Sequence, residues 1–308
     1  MELISSAHWT DYELIDTGNR EKLERFGPWI LARPEPQAVW QKSMAEAEWE
    51  KLAHARYERI RGKQQGSAEG DRGHWTRKPK MPDQWTIRYA YKGLDLKFRL
   101  GLTAFGHIGV FPEQAVNWDF VFDAITQKAK GKRQKSLTPD NLPRVLNLFA
   151  YTGGASLASR AAGADTVHVD SVKPVLTWAR EIMEASGLDG IRWVAEDALT
   201  FVRREVKRGS RYDGIILDPP AYGRGPAGEK WVLEESVNEL IAGCSRLLND
   251  DGFFVLSLYS MGFSALIAEN LVKTHFTEVR GLSSGEFYFT DRAGRRLPLG
   301  TFLRFGGE

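Results

Sequence analysis

Cysteine is nearly absent: Cys244 is the one thiol among 308 residues. A single thiol excludes an intrachain disulfide framework and a cysteine-rich metal site, and no metal partner is expected. Long apolar runs are missing too. No stretch approaches the roughly 20 residues of a membrane span. Residues 1–9 have neither the basic start nor the apolar run of a secretion signal, so a cytoplasmic protein without a membrane partner is the expectation. Charge of one sign is also lacking. The 42 Lys and Arg against 40 Asp and Glu leave a net +2, so any nucleic-acid surface must be local.

What is present is enough for real cores. Hydrophobic residues make up 42% of the chain and include ten tryptophans, and a length prior of roughly 150 residues per domain suggests two domains. We expect the first at 1–104, small and β-rich with an inserted helix, and the second at 105–308. In the first, 12–16 and 29–32 read as strands, and 38–60 shows helical spacing through Trp49, Leu52, Ala53, Tyr57 and Ile60. The segments 85–91 and 94–100 alternate around Lys92-Gly93 as a hairpin. Between them, Arg61, Lys63, Arg72, Arg77, Lys78 and Lys80 surround Trp75. That pattern is either a phosphate-tracking loop with a stacking ring or a solvated loop. Lys128, Lys130, Lys132, Arg133 and Lys135 form a second basic run, either a linker or a phosphate contact.

From residue 144 strands and helices alternate. Strands are expected at 145–149, 166–169, 191–195, 214–217 and 253–258, with closing strands at 276–282 and 301–305. This is the signature of a doubly wound, mostly parallel α/β sheet of seven strands. Open sheets of this kind bind ligands beyond their carboxyl edge. Three strand ends carry groups suited to an adenosine. After the first comes Asn147-Leu148-Phe149-Ala150-Tyr151-Thr152-Gly153-Gly154, whose glycines permit close backbone approach. The second ends in Asp170-Ser171, roughly 20 residues on, where a carboxylate meets a ribose diol. The third ends in Glu196-Asp197-Ala198, facing an adenine edge. Phe149 and Tyr151 occupy positions where a dinucleotide or P-loop site needs glycines for phosphate, so a phosphate-free adenosine compound fits better. The fourth strand ends in Asp218-Pro219-Pro220, with Tyr222 following. Two prolines cannot continue a strand, so an acid, a rigid turn and an aromatic ring enter one crevice together.

These residues resemble the class I S-adenosylmethionine-dependent methyltransferases over about 105–305, and the subgroup containing large-subunit ribosomal RNA methyltransferases in particular. The resemblance implies S-adenosyl-L-methionine as cofactor. It implies cofactor contacts at Asn147, Phe149, Tyr151, Gly153 and Gly154, at Asp170 and Ser171, and at Asp197, Ala198 and Asp218. Phe111-Pro112-Glu113-Gln114 is similar to that subgroup's segment over the methionine part, which adds Phe111 and Gln114. Asp218, Pro219, Pro220 and Tyr222 would hold the acceptor. Two departures stand out. The aromatic residue lies one position later than in amine-methylating relatives, and Ser257-Leu258-Tyr259-Ser260 offers no cysteine after the fifth strand. The expected activity is methylation of a base, at a nitrogen, in ribosomal or other structured RNA. A small-molecule or protein methyltransferase and a catalytically dead RNA-binding module are the competing readings.

Overall fold

A computed structural model describes residues 1–60, 72–132, 142–259 and 262–307, leaving aside the side chains of 129–132. The chain begins with a short strand, β1 (Glu2–Ile4), which belongs to the larger of two units. The smaller unit comprises Ser5–Glu113 and Tyr288–Leu299, and the larger comprises Met1–Ile4, Gln114–Phe287 and Gly300–Glu308.

In the smaller unit, β2 (Tyr12–Gly18), β3 (Glu21–Phe26) and β4 (Trp29–Pro34) form an antiparallel meander. Helix α1 (Glu46–Leu52) leads to β5 (Ala55–Arg59), parallel to β4, and β6 (Gly73–Arg77) completes a five-stranded sheet. A separate hairpin joins β7 (Gln84–Tyr91) to β8 (Leu94–Gly101); the buried–exposed alternation over most of its length matches the pleat of a half-covered sheet. The helix expected over 38–60 shrinks to α1. Tyr57 is buried on a strand instead, because its spacing from Ala55 fits a period of two as well as a helix. Strand β3 escapes sequence reading because Glu21, Lys22, Glu24 and Arg25 look like a loop. Glu24 is in fact buried, bound by Arg33 at 2.7 Å and by the Tyr12 hydroxyl at 3.0 Å. Beneath the sheet, Trp49 of α1 packs with Ile15, Leu23 and Ala32. Its indole donates to the buried Asp16 at 2.7 Å, which also accepts from Ser43 and Arg295.

After a 3₁₀ turn (Pro112–Gln114) where the smaller unit's first segment ends, the chain re-enters the larger unit with α2 (Ala115–Lys132). Then follow β9 (Arg144–Leu148), α3 (Gly154–Ala161), β10 (Asp165–Asp170), α4 (Lys173–Ala185), β11 (Ile191–Ala195), α5 (Ala198–Arg208) and β12 (Tyr212–Leu217). A small hairpin of β13 (Tyr222–Arg224) and β14 (Lys230–Val232) precedes α6 (Leu233–Leu247), β15 (Leu248–Leu258), α7 (Ala265–His275), β16 (Ser283–Thr290) and β17 (Arg296–Phe305). The sheet order is β1-β16-β17-β15-β12-β9-β10-β11. The five strands from β15 to β11 run parallel, and β17 is antiparallel to β15. Seven strands answer to the expected sheet, and β1 adds an eighth beside β16. Gly285 permits this: a Cβ there would lie 1.8 Å from the Glu2 carbonyl oxygen. The closing strands also differ from the expected 276–282 and 301–305. Ser283-Ser284-Gly285 reads as a turn, and Pro298 and Gly300 read as breaks, yet all lie within strands.

One face of the sheet packs α5 and α6 through Phe201, Val237, Leu240, Ile241 and Cys244. The other packs α2 through Val121, Ala124 and Ile125 against Val145, Ile216 and Phe253. Strand order reverses between β9 and β12, which opens a crevice beyond their carboxyl ends. The β12–β15 pairing depends on Gly214. A Cβ there would lie 2.1 Å from the Phe253 ring of the neighbouring strand. Gly214→Ala should therefore overpack the sheet beside the crevice and cost about 1–3 kcal/mol, read as a lower urea midpoint at unchanged slope. An unaltered midpoint would show that Phe253 swings aside freely.

Candidate active site at the carboxyl edge of the sheet

The loop leaving β9 turns sharply. Phe149 (φ 55°) and Tyr151 (φ 49°) lie in the left-handed region, and Gly153 (φ 91°) follows. Non-glycine residues there are strained by about 1–3 kcal/mol and persist only when neighbours hold them. The neighbours are identifiable. The Tyr151 amide donates to Asp170 Oδ2 at 2.9 Å, and the Ala150 amide to the Val169 carbonyl at 3.1 Å. The Phe149 ring rests on Trp231 at 4.8 Å, and Tyr151 meets Trp178 edge-on at 6.4 Å. Asn147 supports the loop from below. Its buried amide donates to Ser156 Oγ at 2.9 Å, which meets His168 Nδ1 at 3.0 Å. Burial pushes His168 down to about 3, so the imidazole is neutral at ordinary pH. Gly153 caps α3 in the left-handed conformation. Gly154 answers a packing demand instead: a Cβ there would meet the Trp118 indole at 2.5 Å.

At the end of β10, half-buried Asp170 accepts from Tyr151 through Oδ2 and from the Val172 amide through Oδ1 at 2.8 Å. Burial pushes its carboxyl upward, and the two amides oppose that shift without cancelling it. Each carboxylate oxygen carries a second lone pair for a hydroxyl donor. Ser171 stands half-buried beside it. At the end of β11, Asp197 caps α5, with Oδ1 accepting from the Thr200 amide at 2.8 Å, and Ala198 is the buried first residue of the helix. Gln114 Oε1 accepts from Asn117 Nδ2 at 3.0 Å and from Ser257 Oγ, at the end of β15, at 3.1 Å. That leaves the Gln114 amide nitrogen as the donor end of the side chain. Phe111 belongs to the smaller unit, where it meets His107 edge-on at 5.3 Å.

At the end of β12, Asp218 is half-buried and has no hydrogen-bond or ion-pair partner among the described residues. Desolvation alone pushes its carboxyl up to about 7. Pro219 is buried and Pro220 exposed. The Pro220 carbonyl is occupied, because it accepts from Trp231 Nε1 at 2.7 Å. Trp231, only 3% exposed, thus joins the loop after β9 at Phe149 to the turn after β12 at Pro220. Sequence reasoning missed Trp231, Asn117, Ser257 and His168. Trp231 carried a faint signal, as a lone large aromatic within a Gly- and charge-rich loop.

The basic segments are partly engaged within the protein. Lys128 pairs with Asp251 at 3.1 Å and Asp213 at 3.7 Å. The side chains of Lys130, Lys132, Arg133 and Lys135 lie outside the described residues, as do Arg61 and Lys63. Trp75 packs on Tyr57 at 5.2 Å and donates to the Thr103 carbonyl. Lys78 caps the last carbonyls of α1, and Arg77 pairs with Asp83. Among the described residues, no cluster of three or more His, Cys, Asp or Glu could hold a metal ion, and no helix is long and apolar enough to cross a membrane.

The ends of these parallel strands carry a strained turn, an acid held by two backbone amides and an Asp-Pro-Pro turn along one edge of the sheet. No family model matches the chain. A solved S-adenosylmethionine-dependent methyltransferase from Agrobacterium tumefaciens is 34% identical, over 100% of this chain and 94% of that one, with a TM-score of 0.83. A Streptococcus mutans structure described as a putative member of the same class is 15% identical over 97% of this chain and 75% of that one, and shares the fold with a TM-score of 0.68. Ribosomal RNA large subunit methyltransferase K/L of Shewanella frigidimarina is 31% identical over 165 residues, 52% of this chain and 21% of that protein. Its counterpart in Shewanella sp. W3-18-1 is 32% identical over 186 residues, 59% and 23% respectively. The chain thus spans under a quarter of these relatives' length. The chain belongs to the S-adenosylmethionine-dependent methyltransferases, enzymes whose cofactor is S-adenosyl-L-methionine.

Asp170→Ala should weaken binding of that cofactor by about 10- to 100-fold, the loss of one charged hydrogen-bond partner worth about 1.5–3 kcal/mol. Calorimetry measures it directly. An unchanged dissociation constant would remove Asp170 from the cofactor site.

Proposed function

We propose that this enzyme methylates a nitrogen of a base in ribosomal or other structured RNA. The observation that carries this reading is the pair of unused acceptors at the end of β12. Among the described residues none donates to Asp218 or to the Pro219 carbonyl, whereas the Pro220 carbonyl already accepts from Trp231. Two acceptors side by side suit an exocyclic amine, which has two N–H bonds to donate. Tyr222, two residues beyond Pro220, offers its ring to the face of an extruded base.

The bound cofactor supplies a methyl group on a sulfonium sulfur, already a good leaving group. The protein's task is therefore positioning, which can supply roughly 7–11 kcal/mol. Asp218 and the Pro219 carbonyl hold the two amine protons, which turns the nitrogen lone pair toward the methyl carbon. With the cofactor bound, Asp218 or water would take the surplus proton of the methylated nitrogen. Carbon methylation of a cytosine ring needs a thiolate to activate the ring first. Cys244 is fully buried in α6 and its thiol is pushed well above the usual range by desolvation, so it cannot serve.

The ribosomal RNA relatives support RNA as the substrate class, with residues 1–104 proposed as the RNA-binding part of a cytoplasmic enzyme. The intramolecular pairs of Lys128, Lys78 and Trp75 favour the alternative of a small-molecule or protein acceptor. Mass spectrometry of nucleosides in ribosomal RNA decides between them. Cells lacking the gene should lose one methylated nucleoside, which the wild-type gene restores and a Tyr222→Ala gene does not. An unchanged nucleoside profile would overturn the RNA reading.

The Asp218 carboxyl generates a pH prediction. With its pKa near 7, the group is protonated below that pH, where it is a weaker acceptor and cannot take the surplus proton of the amine. Turnover per encounter should therefore rise about tenfold per pH unit up to about 7 and level off above it. Asp218→Asn, whose amide oxygen accepts at every pH, should flatten that limb while lowering the plateau. A wild-type limb that persists in the Asn variant would assign the titration elsewhere.

A further inference from the structure

The β13–β14 hairpin immediately follows the acceptor turn, and its register sorts its side chains onto two faces. Tyr222 pairs with Val232, Gly223 with Trp231, and Arg224 with Lys230. Alternation along each strand puts Tyr222, Arg224, Lys230 and Val232 on one face, and Gly223 with Trp231 on the other. Burial agrees: Trp231 is buried, while Arg224 and Lys230 are exposed and Tyr222 is half-buried. The inner face is thus fastened to Phe149 and the Pro220 carbonyl, and the outer face is left for something else.

Two cations face each other there. The Gly225 amide donates to the Glu229 carbonyl, and the Leu233 amide to the Ala221 carbonyl. These bonds mark 225/229 and 221/233 as hydrogen-bonded pairs, so Arg224 and Lys230 form the alternate, closer pair, with Cα atoms about 4.5 Å apart. Like charges directly opposite on a ladder are destabilising. Neither cation has an acidic partner among the described residues. Glu229, adjacent to Lys230 in sequence, falls on the opposite face and bonds the Ala227 amide at 2.9 Å. A repulsive pair left uncompensated beside a substrate-facing ring is accounted for by an anionic ligand. Tyr222 and Arg224, two residues apart on one strand, are offset by about 6.6–6.8 Å, comparable to the separation of a base from its own backbone phosphate.

We propose that the outer face of this hairpin is a phosphodiester site: Arg224 and Lys230 together hold the backbone phosphate of the nucleotide whose base lies on Tyr222. The inference rests on the RNA reading and adds to it how the enzyme selects a polynucleotide over a free base. A small uncharged acceptor would leave the two cations in mutual repulsion.

The test measures binding of an unmodified large-subunit ribosomal RNA transcript over a range of salt concentrations. Replacing both cations, as Arg224→Gln with Lys230→Gln, should flatten the log–log salt slope by about 1.4, or about 0.7 for each lost contact to a single strand. Each single variant should give about half that change. The charge-preserving pair Arg224→Lys and Lys230→Arg should keep the wild-type slope. Affinity for S-adenosylhomocysteine, measured by calorimetry, should be unchanged in every variant, which shows the cofactor side still folded. Wild-type protein with no salt-dependent RNA binding would defeat the RNA reading itself. A normal wild-type slope that survives in the double Gln variant would defeat the phosphate site alone.

Discussion

The hydrogen bond from the Tyr151 amide to Asp170 is the constraint on which the rest of the crevice depends. It ties the end of β10 to the turn after β9 and holds Tyr151 in a conformation that side-chain-bearing residues rarely adopt. Without it the turn would relax, and the Phe149 ring would lose its place on Trp231. The carboxylate expected to meet the cofactor sugar is therefore also the group that shapes the loop after β9. One carboxylate can do both because each oxygen spends one lone pair on a backbone amide and keeps another.

From that turn the order passes to the acceptor side through one residue. Trp231 touches Phe149 with its ring and Pro220 with its N–H, so the two loops are not independent. The indole also roots the hairpin that carries Tyr222, Arg224 and Lys230. The Trp231 bond fixes the orientation of the turn, so on the reading proposed above an acceptor amine meets one rigid arrangement of Asp218 and the Pro219 carbonyl.

Much of this was legible in the sequence. The parallel strands read as continuous apolar runs because both faces of the sheet are covered, and Asp170, Asp197 and Asp218 are marked simply by ending such runs. The less legible parts share a cause. Strand β3 hides behind charges that find partners only when folded, as Glu24 does with Arg33. Strand β1 is three residues long and takes its meaning from Gly285, some 280 positions away in sequence. Trp231 and Ser257 matter through contacts made across the fold, to Pro220 and Gln114. Their residue types alone are equally suited to an ordinary core. Gly154 reads as a ligand-facing glycine in the sequence, and the structure adds a second demand on it, the bulk of Trp118.

The carboxylates divide by the company they keep, and the division separates scaffold from site. In the smaller unit, Asp16 and Glu24 are buried but satisfied by cations, an indole and hydroxyls, and their carboxyls are held below the usual range despite the cost of desolvation. At the sheet edge, desolvation dominates instead. Asp170 is raised although two amides favour its charged form, and Asp218, with nothing to favour it, is raised furthest, to about 7. A scaffold carboxylate left in that condition would destabilise the fold with no compensating gain. At the carboxyl edge the same deficit is spare hydrogen-bonding capacity, held ready for groups the protein does not itself contain. Asp218 thus gives up native-state stability as pH rises from the unfolded value near 4 toward 7, because over that window the folded chain binds its proton more tightly than the unfolded chain does. In the proposed reaction, an amine donating to the carboxylate would offset that loss as the acceptor is seated.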